Sequence, residues 1–143
     1  MADTIILEIL TPSGPFKALA GDEDLTVPGV EVPGLLGELG VLPSHIPFVS
    51  PVKPGVVRFR HDGASHRIAV GMGFVEISQQ GRVSILVDRA ESGADVDVAE
   101  AEASAEKAQK ELAGLTDAID DAEHVLAREK LAWHLARVRA AQG

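Results

Sequence analysis

Cysteine is absent from this 143-residue chain, which excludes disulfides, thiolate nucleophiles and cysteine-ligated metals. Aromatic residues are almost as scarce, with one Trp, four Phe and no Tyr, so there is no platform on which single-stranded bases could stack. Positive charge is also short: 13 Lys and Arg face 22 Asp and Glu, for a formal net charge of −9. Nucleic acid is therefore disfavoured as a partner, because neutralising phosphates takes a basic surface. Apolar runs such as Ile5-Ile6-Leu7 are far shorter than the ~18 residues that cross a bilayer. Met1-Ala2-Asp3-Thr4 lacks the basic and apolar regions of a secretory signal, and the chain is expected to stay soluble where it is made.

Reactive motifs are missing too. The five histidines (His45, His61, His66, His124 and His134) have no metal-ligand spacing. Gly71-Met72-Gly73 lacks the third glycine of a dinucleotide loop and precedes a strand-like run, which suits close backbone packing instead. Neither a P-loop nor a Gly-x-Ser-x-Gly elbow occurs. Asp22, Glu23 and Asp24 suit a solvated turn better than an acid/base pair, which needs burial to separate its pKa values. No cofactor is expected, and an enzyme is the weaker hypothesis.

What the chain does contain is a change of period. From Thr4 to about Arg89 it reads as short strands punctuated by Gly, Pro and Asp. Expected strands are Thr4–Leu10, Phe16–Ala20, Leu25–Val27, Val56–Arg60, Arg67–Val70, Phe74–Ser78 and Arg82–Val87. Asp62-Gly63 predicts a hairpin turn, and this density of strands predicts an antiparallel sandwich or barrel. After Glu91-Ser92-Gly93-Ala94, Ala, Glu, Lys and Leu take over, as in helices. The reading is a β domain over residues 1–91 and an antiparallel α-helical hairpin over 92–143. Ala101, Ala105, Ala108, Leu112 and Leu115 form one stripe; Ala127, Leu131, Leu135 and Val138 form another. Gly114 suits the first helix end, Thr116 or Asp117 the next N-cap, and the second helix is expected from about Ala118 to Ala141. Residues 95–123 carry ten acids against two lysines, a net of −8, whereas 124–143 carry a net of +3. A basic last helix on an acidic protein seeks an acidic surface, in its partner helix or in another chain.

Between Val27 and Pro47 the density of Gly and Pro implies a long shaped loop, made greasy by Leu35, Leu36, Leu39, Val41 and Leu42. Within it, Gly37-Glu38-Leu39-Gly40-Val41-Leu42-Pro43-Ser44-His45-Ile46-Pro47 resembles the Gly-Glu-x-Gly-x-x-Pro-x-His-x-Pro segment of bacterial ATP synthase epsilon subunits. Ile9–Gly14, Lys53–Arg58, Gly71–Glu76 and Val83–Glu91 resemble further segments of that family in the same order. The resemblance implies a ten-stranded β-sandwich with a helical hairpin, peripheral at the cytoplasmic face of the inner or plasma membrane. The implied partners are the gamma subunit and the c-ring, so that the membrane is met only indirectly. By the same resemblance Glu38, Leu42 and His45 would meet the c-ring. Arg128, Lys130, Arg137 and Arg139 would meet acidic loops of the beta subunits when the hairpin extends, or the chain's own first helix when it does not.

Two departures from the family pattern stand out. Val27-Pro28-Gly29 is echoed by Val32-Pro33-Gly34, which suggests a short insertion and a longer ring-facing loop. The segment resembling a nucleotide motif reads Val96-Asp97-Val98-Ala99-Glu100-Ala101. Asp97 and Arg137 remain at motif positions, but Glu100 stands where a phosphate-binding arginine is expected, replacing a bidentate donor with a repulsive charge.

Overall fold

The structure is a computed structural model that describes residues 4–19, 25–44, 46–115 and 122–142. Eleven strands are present among these residues: β1 (Ile5–Thr11), β2 (Gly14–Phe16), β3 (Leu25–Val27), β4 (Val30–Gly34), β5 (Gly37–Val41), β6 (Phe48–Val52), β7 (Gly55–His61), β8 (Ala64–Val70), β9 (Gly73–Ile77), β10 (Arg82–Val87) and β11 (Ala90–Ser92). A 3-10 turn over Gly93–Asp95 leads into helix α1 (Val98–Ala113) and then α2 (Ala122–Gln142). The strands pair in the order β11-β8-β7-β4-β6-β9-β10-β1-β2, with β3 added to β1 and β5 to β4. Curled on itself, this sheet forms a nearly closed β-sandwich, with the two helices as a C-terminal hairpin, as the change of period predicts.

Alternation explains the core. In β1 the side chains of Ile5, Leu7 and Ile9 point inward, joined by Val75, Ile77, Val83, Ile85 and Val87 from β9 and β10. Strands β4, β7 and β8 break this alternation, with Val32, Pro33 and Gly34 of β4 buried in succession. Val56 and Val57 of β7 are both buried, as are Ile68, Ala69 and Val70 of β8. A strand buried on both faces is covered on both, and the outer cover of β7 and β8 is α2: Val56 and Ala69 form a second small core with Trp133, Ala136 and Ala140.

The Gly- and Pro-rich stretch is not a structureless loop. It folds as the hairpin β4–β5, in which Val30 faces Val41 and Gly34 faces Gly37. Its prolines hid it, since proline cannot donate to a ladder. The carbonyl of Pro33 nevertheless accepts from Lys53 N at 3.0 Å. Leu35 and Leu36 form the turn of this hairpin; the second Val-Pro-Gly copy ends β4, and the first runs from the last residue of β3 into the link to β4. Strands β6 and β11 were also not legible in the sequence, and the strand expected at Phe16–Ala20 lies earlier, at Gly14–Phe16. The Asp62-Gly63 hairpin is present, both residues having positive φ (51° and 79°), the geometry of a type I′ turn. Gly73 packs as expected, because a Cβ there would overlap the backbone carbonyl of Leu86.

In the hairpin, Asp97 caps α1 by accepting from Glu100 N at 3.2 Å, and Gly114 N closes its last turn on Lys110 O at 3.0 Å. The proposed N-cap, Thr116 or Asp117, and the expected helix start at Ala118 lie outside the described residues. The α1 stripe holds, with Ala101, Ala105 and Ala108 buried. The α2 stripe does not: Leu135 is 45% exposed, while Trp133, Ala136 and Ala140 are the buried apolar positions. The reason is that α2 has two neighbours, α1 and the sheet, and a one-face stripe describes a helix with one. Ala136→Leu should add a bulky side chain to this close contact, at a cost of about 1–3 kcal/mol. Hydrogen exchange is expected to show α2 losing protection while β1 and β10 keep theirs.

Candidate docking surfaces and the hairpin clasp

The sandwich is antiparallel as expected except where β1 pairs parallel with β10, and sheet faces that meet water normally present polar side chains outward. On β6-β9-β10-β1-β2 the register instead lines up Pro51 with Phe74, Phe74 with Leu86, Leu86 with Leu10, and Leu10 with Pro15. This apolar row crosses five strands on the outer face. Phe74 is 55% exposed and Leu86 42%. Alongside it runs a row of Val49, Glu76, Ser84 and Glu8, in which Ser84 Oγ donates to Glu8 at 2.5 Å and Arg82 pairs with Glu8 at 3.4 Å. An exposed apolar strip beside a polar rim has the composition of a protein-binding surface.

The greasy segment read from the sequence divides between two ends of the β4–β5 hairpin. Leu35 and Leu36 form the turn at one end, and Leu36 is fully exposed. Leu42 lies beyond the other end, exposed, and lines a crevice with Thr4 and Ser78. Glu38 belongs to the turn end, opposite Pro33, and makes a 3.8 Å surface ion pair with Arg58, a contact worth little by itself. The structure therefore separates Glu38 from Leu42 along β5. His45 lies outside the described residues.

Where the hairpin meets the sandwich the chemistry is charged. Arg137 is 9% exposed. Its Nε donates to Glu91 of β11 at 2.9 Å, one Nη donates to Glu100 of α1 at 2.5 Å, and the other contacts His134 Nδ1 at 3.1 Å. The three chain segments that must stay together thus meet on one guanidinium. Its hydrogen bond, with help from Ser104, holds the Glu100 carboxyl below its usual range, and Glu100 in turn raises Arg137. Desolvation first, and then the charge of Arg137, lowers the His134 pKa. Two contacts reinforce the clasp from either side: Arg67 Nε donates to Ala140 O at 3.0 Å, and the Arg89 guanidinium lies 5.3 Å over Trp133. Gly93 makes room here, because a Cβ on it would overlap the Ala140 carbonyl.

Among the four basic residues singled out in the sequence, the acidic helix meets at least Arg137 and Lys130. Arg137 holds Glu100, and Lys130 pairs with Glu111 at 3.2 Å. Arg128 and Arg139 are exposed. At the nucleotide-motif positions, Asp97 is the α1 cap and Arg137 is taken up by two carboxylates. Sequence reasoning missed Glu91 and Glu100 as Arg137 partners. The signal was the acid at position 100 where a base was expected, but nothing in spacing alone brings Glu91, 46 residues from Arg137, to the same point.

The chain is thus a β-sandwich with an outward apolar strip and a C-terminal helical hairpin along its side. Residues 4–93 match the family described as ATP synthase, Delta/Epsilon chain, beta-sandwich domain, and the chain belongs to that family. Among similar curated proteins, the ATP synthase epsilon chain of Nitratidesulfovibrio vulgaris (strain DP4) is 35% identical over 97% of this chain and 96% of its own length. That of Bacillus subtilis (strain 168) is 39% identical over 82% and 83%. By fold, the chain is similar to one in the Euglena gracilis mitochondrial ATP synthase OSCP/F1/c-ring assembly, with TM-score 0.79, 19% identity and coverage of 100% and 84%. It is also similar to one in the Tetrahymena thermophila central stalk/c-ring assembly, with TM-score 0.61, 15% identity and 96% coverage of both chains. No helix among the described residues is long and apolar enough to cross a membrane.

Arg137→Met keeps much of the side-chain volume but strips Glu91 and Glu100 of their shared partner. The guanidinium's charge-assisted hydrogen bonds to both carboxylates are lost, and the hairpin is expected to dock less firmly. Hydrogen exchange should show α1 and α2 losing protection relative to the sandwich strands.

Proposed function

We propose that this chain is a non-catalytic rotor subunit in the central stalk of a proton-translocating ATP synthase, coupling rotation to ATP synthesis, with residues 1–91 as docking module and 92–143 as regulatory hairpin. The observation that carries the reading is the apolar row Pro51-Phe74-Leu86-Leu10-Pro15 on the sheet's outer face, in a chain whose relatives are named epsilon chains of this enzyme. A rotating stalk needs a rigid joint, and burying such a row supplies one at roughly 25 cal/mol per Å² of apolar surface. The row is the proposed seat for the gamma subunit. Glu38, Leu42 and His45 are proposed to meet the c-ring; because Glu38 and Leu42 lie at opposite ends of β5, the contact would run along that edge of the sandwich. The complex would hold the protein peripherally at the cytoplasmic face of the membrane.

Restraint of ATP hydrolysis is assigned to the hairpin. Released from the sandwich, α2 would offer Arg128, Lys130, Arg137 and Arg139 to acidic loops of the beta subunits; docked, it commits Arg137 and Lys130 to its own acids. Glu100 supplies internally the negative charge that a phosphate would bring, and no nucleotide is needed to close the clasp.

Phe74→Glu with Leu86→Glu places two charges in the apolar row at positions whose side chains already face water, so the sandwich should fold. The doubly substituted chain is expected to lose at least tenfold in co-purification with gamma; undiminished recovery would refute the assigned face. Arg139→Glu changes an exposed residue outside the Arg137 clasp and should raise ATP hydrolysis by reconstituted enzyme. Unchanged hydrolysis would remove the inhibitory role while leaving the stalk role standing.

A further inference from the structure

An arginine has five N–H donors and no acceptor. The 3.1 Å contact between Arg137 Nη1 and His134 Nδ1 therefore has one direction: the guanidinium donates and Nδ1 accepts. An imidazole that accepts at Nδ1 is neutral, with its proton on Nε2. Protonation of His134 would fill Nδ1 with a hydrogen and set two cations at hydrogen-bond distance beside a buried side chain. From this geometry we infer that His134 is a pH sensor for the docking of the helical hairpin: neutral imidazole is part of the clasp, and imidazolium opens it.

The surroundings set the sign. Facing His134 are Arg137 and Lys130 from its own helix, Glu100 from α1, and Arg89 from the turn between β10 and β11. Asp88 and Glu129 line the same crevice, and Glu91 lies across the guanidinium. Glu100 alone among the named contributors favours the imidazolium, but its carboxylate is already bonded by Arg137 and Ser104. Desolvation and three cations oppose it. A histidine whose pKa is lower docked than free contributes stability that is complete above the ordinary imidazole value of about 6.5 and is lost as pH falls through that value toward the docked one. Glu100, also lowered, loses its contribution only below the ordinary carboxylate range, so the two titrations fall in separate windows. The docking interface can respond to one charge because its apolar part is small: Trp133, Ala136 and Ala140 against Val56 and Ala69.

Undocking stands on the structure of this chain alone. Only its consequence, a basic helix released to acidic neighbours as pH falls, rests on the function proposed above.

The test uses the full chain and follows hydrogen exchange of α2 between pH 7.5 and 5.5, corrected for the intrinsic pH dependence of exchange, with the sandwich strands as internal reference. In the unsubstituted chain α2 should lose protection as pH falls through the histidine range while β1 and β10 keep theirs. His134→Asn places a non-titrating amide oxygen where Nδ1 sat, and should stay docked throughout. His134→Lys, a permanent cation, should be undocked already at pH 7.5. If His134→Asn proves undocked at pH 7.5, His134→Ala takes its place, with neither acceptor nor charge and hence no response to pH. The inference fails if unsubstituted α2 keeps its protection at pH 5.5. It also fails if the loss persists in the Asn or Ala chain, or if it vanishes instead in His124→Asn, which removes the other histidine of α2.

Discussion

Burying a guanidinium is unfavourable unless its donors meet acceptors, and at Arg137 this requirement organises the C-terminal half of the molecule. Its acceptors come from three places in the chain: Glu91 at the end of the sandwich, Glu100 one turn into α1, and His134 on its own helix. Moving any one segment leaves a charge uncompensated, so the hairpin is held closed and held against the sheet by the same side chain. The apolar contact beneath sets Trp133, Ala136 and Ala140 against Val56 and Ala69, the alanines letting α2 approach closely. Position is thus set by close packing, and much of the holding by the ion pairs.

Apolar burial responds little to pH or to a charged neighbour, whereas an ion-paired clasp with a histidine in its network responds to both. The sandwich is built the opposite way. Its core is a continuous set of Ile, Leu and Val from most of its strands, and its titratable groups lie at the surface. Apolar packing holds the sandwich, and a charged network that includes a histidine helps hold the hairpin against it.

Membership of the ATP synthase delta/epsilon family agrees with this construction, and Glu100 marks where the residues depart from the motif pattern read in the sequence. Glu100 is at once the third residue of α1, held at its backbone by the Asp97 cap, and the principal partner of Arg137. A base at that position would repel Arg137, whereas the acid pairs with it.

Composition and periodicity determined a good deal unaided: an all-β half followed by a helical half, the boundary near residue 92, the Asp62-Gly63 turn, the alanine face of α1 and the resemblance to the family. These are local properties, carried by turn residues, propensity and one-sided burial. What only tertiary structure decided depends on two segments meeting. Strands β4 and β5 hide among prolines and glycines because their pairing, and not their propensity, makes them strands. The apolar row exists only once the register of five strands aligns single exposed residues that mean nothing separately. The buried face of α2 departs from a simple stripe because the helix answers to a helix and a sheet together, and Arg137, a surface base in the sequence, becomes a buried clasp because residues 91 and 100 arrive from elsewhere in the chain.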